Sequence, residues 1–490
     1  MREIAKRPAF TGLLIFIAGA VYYLSFARYG LNLWDEGGIY IGGMRTLQGQ
    51  RVYVDFFGYP PGGYWLVELV FRWFGFQMLP VRWLYAGLTA LFGVLAYHIA
   101  RRIMPGVYTA AAVLLVMSAP AVYYQRFYGL MFLFCAWAAI VCLEDRRNWP
   151  WLAVSAATAC LFKAEVTLVA LPVFAWVVWR SFGFEKKGWV AFLAIIVACA
   201  AFLKGGMVAA FFAAAKGMYQ VWGNPFPVPW KGYQGSEFGF FAFLENLLFY
   251  APFATAAALG ALAWRERNAP LAALAYFQLM AMCLVILRAG FDNLIRCLPL
   301  FFIVAVYLAC RAVKTAAPPR RVAAIAALAA VWGLYMADLN WKNGYYAGSI
   351  GAVREFDSEI TRGRAKGIIA GPQDAAYVGQ MTDWIDLATQ KDDRIFAMPL
   401  NPLWYYLSGR MNPTAYDWVL PGMFWNPSDE EKLIAQMAAA RPPLIILVDI
   451  AIDNREDRRL TAYVPGLIAW TVAHYRYSGR IGYFQMWSRK

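Results

Sequence analysis

Few residues in this chain could do chemistry, and nearly all of them are carboxylates and cations. Two adjacent acids, Asp35 and Glu36, follow the first apolar run, and Asp55 precedes a Pro-Pro pair. Lys163 stands between two apolar stretches, Arg126 lies in YYQRFYG, and Arg288 and Arg296 flank Asp292 in RAGFDNLIRC. Only His98 and His474 are present, and the seven cysteines (Cys135, Cys142, Cys160, Cys199, Cys283, Cys297 and Cys310) sit in apolar segments without zinc or redox spacing. A His-rich metal centre and a serine-type triad are therefore disfavoured. What remains is proton transfer by a carboxylate and anion binding by Lys or Arg. Paired acids can also hold Mg²⁺ or Mn²⁺ with waters and a phosphate, which makes Asp35 and Glu36 the ligands if a metal is used. No Asp-x-Asp pair stands with them, and nothing in the sequence demands a resident cofactor.

These groups must be positioned by a very apolar chain. Of its 490 residues 61% are hydrophobic and 17% aromatic, and mean hydropathy is +0.46, which indicates a polytopic membrane protein. The net charge of +15 does not point to nucleic acid, because residues 1–337 carry 28 Lys/Arg against 13 Asp/Glu while 338–490 carry 17 of each. The first apolar run, about 18 residues long, ends in aromatics rather than at a small-residue cleavage site, and reads as a retained helix. Further spans are expected near 79–99, 107–122, 127–143, 150–162, 165–179, 188–204, 239–263, 270–287, 294–312 and 320–337, about eleven in all.

Alternate connections are basic: MREIAKR, ARRIMPG, EDRRN, RSFGFEKKG, WRERN and RAVKTAAPPRR hold 16 of the 28 cations of residues 1–337. The positive-inside rule places them in the cytoplasm. Asp35, Glu36, Asp55 and the segment after the last span then face outward from a cytoplasmic (inner) membrane. Residues 1–337 read as a membrane domain, and 338–490 as an extracytoplasmic α/β domain with strand-like DRIFAMPL, PLIILVDI and RIGYFQMWSR and a helix-like PSDEEKLIAQMAAA. The first outer loop, 28–78, is rich in Trp, Tyr and Gly, and its amphipathic YWLVELVFRWFG suits the bilayer surface.

The order of these parts resembles the GT-C membrane glycosyltransferases, particularly protein mannosyltransferases and aminoarabinose transferases. It comprises a first helix, the Asp35–Glu36 pair, a Gly-rich turn, a G-x-x-x-Y-x-D element from Gly49 to Asp55, and then PPGGYW. LFKAEVTLVALP, residues 161–172, looks like the Lys-containing helix junction of that superfamily. The resemblance implies a polyprenyl-phosphate sugar as donor and a glycan, lipid or protein as acceptor, with membrane lipids around the chain and no nucleic acid. Asp35 matches the acidic position after the first span and is the expected base, with Glu36 and Asp55 as further catalytic candidates. Lys163, with Arg126, Arg288 and Arg296, is expected to bind the donor phosphate. One departure is Tyr59, where the aminoarabinose branch commonly has Lys before Pro-Pro.

Each residue also has a plainer reading. Asp35 could cap a helix, Glu36 could pair with a cation, and Asp55 could close a turn. Lys163 could snorkel, and a single Arg could anchor a helix end. If the acid pair is helical, its members point about 100° apart and do not share a face. The expected activity is inverting sugar transfer on the outer face; the alternative is a flippase or transporter of lipid-linked sugar.

Overall fold

The computed structural model describes residues 8–34, 36–118, 127–183, 185–202, 240–286, 294, 297–315, 322, 326–327, 329–330, 332–333, 350–424, 427–452 and 455–490. By internal packing the chain divides into two units: 1–27 with 83–203 and 226–352, and 28–82 with 204–225 and 353–490.

The first unit is helical. Its described helices are α1 (Pro8–Leu24), the part of α4 (Met78–Ile103) beyond Arg82, α5 (Gly106–Ser118), α6 (Phe127–Glu144), α7 (Pro150–Phe182), α8 (Lys186–Phe202), α9 (Phe240–Glu266), α10 (Ala269–Ile286) and α11 (Leu298–Thr315). The second unit holds α2 (Gly37–Leu47) and α3 (Pro61–Phe74). Among the described residues four helices, Met78–Ile103, Phe127–Glu144, Ala164–Phe182 and Ala269–Ile286, are long and apolar enough to cross a membrane. Pro8–Leu24 and Gly106–Ser118 are apolar but shorter. The span expected at 320–337 lies mostly outside the described residues. Helix α6 is central: Leu133, Cys135, Ala136, Ala138, Ala139, Ile140 and Cys142 are fully buried, and the alanines and cysteines among them are small enough to let helix backbones approach.

Salt bridges join the basic connections to one another. Arg102 pairs with Glu144 at 2.9 Å, Arg146 with Glu185 at 3.4 Å, and Arg311 with Glu266. The first two link three of the expected cytoplasmic loops and the last links two more, so each linked set shares one end of the helices.

The second unit contains the C-terminal sheet. Strands β1 (Ser358–Glu359) and β2 (Ile369–Ala370) form an antiparallel pair. Strands β3 (Phe396–Met398), β4 (Leu444–Leu447), β5 (Tyr475–Ile481) and β6 (Phe484–Arg489) form one sheet in the order β3-β4-β6-β5. β3 and β4 run parallel, and the other two pairings are antiparallel. β4 lies between two neighbours and is buried along its whole length, which matches its unbroken apolar run. Helices α12 (Pro372–Ala388), α13 (Leu403–Ser408), α14 (Pro427–Ala440) and α15 (Pro465–His474) accompany the sheet, with Leu433, Met437 and Leu467 in its core.

The first loop is stitched into this same unit. Gly30 N–H donates to Ile369 O at 2.8 Å, Ile369 N–H to Arg28 O at 2.7 Å, and Phe57 N–H to Ala415 O at 2.8 Å. On α3, Trp65, Leu69 and Trp73 recur every four residues and are 47%, 52% and 78% exposed, which gives the helix an apolar outer stripe.

Candidate active site

Glu36 stands just before α2 and is anchored on every side. Arg82, in the second turn of α4, donates from Nε to Oε1 at 2.8 Å and from Nη2 to Oε2 at 2.7 Å. Tyr40, one helical turn on, donates to Oε1 at 2.8 Å, and Asn32 N–H approaches Oε2 at 3.4 Å. Arg82 and Glu36 are 0% and 3% exposed. The same guanidinium donates to Gly30 O at 2.8 Å, so one side chain ties together the segment after α1, the start of α2 and the start of α4. Burial, then the Glu36 charge, holds the Tyr40 phenol well above its usual value, and it stays a neutral donor. With both oxygens taken by Arg82 and Tyr40, Glu36 offers no open edge to a divalent ion. Among the described residues no group of three His, Cys, Asp or Glu could hold one.

The expected Gly-rich turn is helical, because its glycines are contact points. A Cβ on Gly37 would lie 2.1 Å from Leu403 N, and one on Gly38 would lie 1.8 Å from the Trp418 ring. On the opposite side, Cβ atoms at Gly42 and Gly43 would strike Tyr64 at 2.1 Å and Val67 at 2.5 Å. One glycine pair thus admits the C-terminal segment, and the other admits α3. Gly37→Ala is expected to lower the stability of the second unit by about 1–3 kcal/mol, since backbone must move to make room. Limited proteolysis checks this: cleavage around 400–420 should accelerate.

A second buried pair repeats the arrangement at the end of α2. Arg45 Nε and Nη2 donate to Asp417 at 2.8 and 2.7 Å, and Nη2 also donates to Thr414 O at 2.8 Å. Asn412 donates to Asp417 Oδ1 at 3.1 Å. Two buried, bidentate ion pairs therefore bracket α2, at Glu36 and at Arg45.

The other sequence candidates are distributed as follows. Asp35, Arg126, Arg288 and Arg296 lie outside the described residues. Asp55 closes a turn: its Oδ2 accepts from Arg51 N–H at 2.7 Å, and Arg51 Nε lies 3.6 Å away, so its observed contacts are local. Lys163 belongs to the first unit. There α7 breaks, with φ −156° and ψ 82° at Lys163, between the two spans expected at 150–162 and 165–179. Thr167 Oγ1 donates to Ala156 O at 3.0 Å across the break. Eleven residues of straight helix would span about 16 Å, so the chain folds back at the lysine. Its Nζ sits 4.2 Å from the Tyr128 ring centroid, and Tyr128 in turn donates to Glu165 Oε1 at 3.1 Å. The tyrosine thus mediates between two charges that do not pair directly, and Lys163 is buried at a helix junction.

Sequence reading missed Arg82, Arg45 and Asp417. The available signal was Arg82 itself, a single cation at the start of an apolar helix, where burial requires a partner. Asp417 is 372 residues from Arg45 and left no local trace.

Residues 59–204 match the family model of dolichyl-phosphate-mannose-protein mannosyltransferase, a range that includes Arg82 and Lys163. Over its whole length the chain superposes on ArnT from Cupriavidus metallidurans in the apo state, with TM-score 0.55, 12% identity, and 98% of each chain covered. The fold is GT-C. ArnT from the same organism bound to undecaprenyl phosphate gives TM-score 0.52 at 13% identity, covering 97% of each chain. The archaeal oligosaccharyltransferase AglB from Archaeoglobus fulgidus, in complex with an inhibitory peptide and a dolichol-phosphate, gives 0.51 at 13% identity, over 99% of this chain and 75% of that one. No curated protein sequence matches the chain. The expected resemblance is borne out at the level of the fold, and PPGGYW falls within the matched range, whereas the Asp-Glu pair and the Gly49–Asp55 element precede it. The Glu36–Arg82 pair ties Gly30 and Glu36 to the start of α4, and α7 breaks at Lys163, within 161–172.

Proposed function

We propose that the protein transfers one sugar, hexose or pentose, from a polyprenyl-phosphate donor to an acceptor on the outer face of the cytoplasmic membrane. The observation that carries this reading is the dolichyl-phosphate-mannose transferase match across 59–204, set within a GT-C fold that extends over the full chain. The acceptor hydroxyl oxygen attacks the anomeric carbon, its proton passes to a carboxylate, and the bond to the phosphate breaks. Polyprenyl phosphate then leaves with the electron pair. A single displacement inverts the anomeric centre. Asp35 is the base, with Asp55 the next candidate; the sequence neighbours of Asp35, Trp34 and Glu36, are both anchored. Lys163, Arg126, Arg288 and Arg296 receive the phosphate charge. The chain crosses the membrane about eleven times within 1–337, and 338–490 lies outside.

Two features support the reading. The Trp65-Leu69-Trp73 stripe on α3 suits an interfacial helix at the bilayer surface. Lys163 stands where the helix is already broken, so its cation can meet an anion without deforming a regular span.

The test uses purified full-length protein in detergent with lipid-linked sugars and a panel of acceptors. No two-sided membrane exists there, so a flippase has nothing to do. Lys163→Met is expected to weaken both donor binding and turnover, because the cation meets charge present in the ground state and growing as the bond breaks. Lys163→Arg should recover only part of the activity, since a planar fork replaces a compact ammonium. Full recovery by Arg would mark a snorkelling lysine. Transport across vesicles with no transfer to any acceptor would sink the enzyme reading.

A further inference from the structure

An aromatic cluster beside the acid motif has no part in the chemistry above. Trp34 stacks on Tyr483 with ring centroids 5.1 Å apart and planes 22° from parallel, and on Phe484 at 5.9 Å and 30°. Both partners lie at the turn from β5 into β6, so the C-terminal sheet delivers them to the residue that precedes Asp35. Phe484 is fully buried and meets the Trp404 ring edge-on at 5.0 Å. Tyr377 on α12 stands edge-on to Tyr483 at 5.6 Å, with its hydroxyl held by Gln373 at 2.6 Å. The turn itself is tight: Gly482 has φ +55°, and a Cβ there would lie 2.4 Å from the Tyr377 hydroxyl. Tyr483 is therefore fixed in orientation, yet it is 39% exposed.

Asp374, in the first turn of α12, lies one helical turn before Tyr377, whose ring meets Tyr483. Partial burial pushes its carboxyl up from the usual carboxylate value. Among the described residues its carboxylate has no hydrogen-bond or ion-pair partner. A carboxylate half withdrawn from water gains from a donor supplied by a ligand. A rigid aromatic ring that stacks on Trp34 and is still partly exposed, beside such an acceptor, matches a pyranose ring, which has an apolar C–H face and a rim of hydroxyl donors.

We propose that Tyr483 and Asp374 form a subsite for a hexopyranose ring of the acceptor, with its C–H face against Tyr483 and a hydroxyl donating to Asp374. The inference rests on the glycosyl-transfer reading and narrows the acceptor to a glycan. It also gives the C-terminal sheet a role, as the bearer of an acceptor contact next to the acid motif.

The experiment is saturation-transfer NMR on the full-length protein in detergent, with methyl α- and β-hexopyranosides as probes and a serine-containing tripeptide as control. Wild type should transfer saturation to protons on one face of the ring. Tyr483→Trp should keep this, whereas Tyr483→Leu and Asp374→Asn should each weaken sugar binding about five- to tenfold. Unfolding midpoints identify any variant that has lost its fold; Asp374→Asn, which alters only a partly exposed carboxylate, then decides alone. The subsite is overturned if wild type binds no sugar, if both variants bind as wild type does, or if the peptide binds in a Tyr483-dependent way instead. The measurement needs neither donor nor turnover. Sugar binding without transfer would sink the functional reading only, and transfer without Tyr483-dependent sugar binding would sink the subsite only.

Discussion

Asp35→Asn is expected to reduce sugar transfer by about 10² to 10⁴ at saturating substrates, the usual loss on removing a positioned general base. The substitution preserves side-chain shape and leaves the neighbouring anchors intact. Glu36 keeps both bonds from Arg82, and Trp34 keeps its stack on Tyr483. Donor binding and the unfolding midpoint should therefore remain close to wild type, and the loss should fall on the chemical step. Single-turnover measurements with preformed enzyme–donor complex separate these terms. Wild-type turnover in Asp35→Asn would transfer the role of base to Asp55, whose own replacement by Asn should otherwise cost little beyond the Arg51–Asp55 turn.

The second large effect belongs to Arg82. Arg82→Met leaves the Glu36 carboxylate buried without its cation and releases the Gly30 carbonyl, and breaking such a pair costs about 3–5 kcal/mol. The unfolding midpoint should fall by several degrees. Transfer should fall as well, because the segment that leads into the acid motif loses its tether. Arg82→Lys restores charge without the two-pronged geometry and should recover only part of the stability. The double variant Arg82→Met with Glu36→Gln should be more stable than Arg82→Met alone, since the unpaired charge is gone. An unchanged midpoint in Arg82→Met would show that the pair does not hold the loop.

The helices were legible because an apolar run long enough to span a bilayer has few alternatives to helix, and loop charge marks where runs stop. The expected spans at 79–99, 127–143 and 270–287 differ by only a few residues from α4, α6 and α10. The C-terminal helix at 427–440 and the strands at 444–447 and 484–489 were legible for a similar reason, since local periodicity and turn residues carry most of that signal. The glycines of GGIYIGGM misled: locally they suggest a turn, whereas Leu403, Trp418, Tyr64 and Val67 require small residues on a helix.

By itself, the sequence determined a multi-span chain with a mixed-charge C-terminal region, an acid pair after the first helix, and a lysine between two apolar arms. These follow from composition, run length and order along the chain, which need no knowledge of distant contacts. Only the tertiary structure decided that Glu36 faces Arg82 and that Arg45 faces Asp417. Only it placed Tyr483 against Trp34, and turned the chain back at Lys163 with Tyr128 beneath the ammonium. A buried charge must find an opposite charge wherever the fold offers one, and that partner can lie hundreds of residues away, beyond the reach of any local pattern.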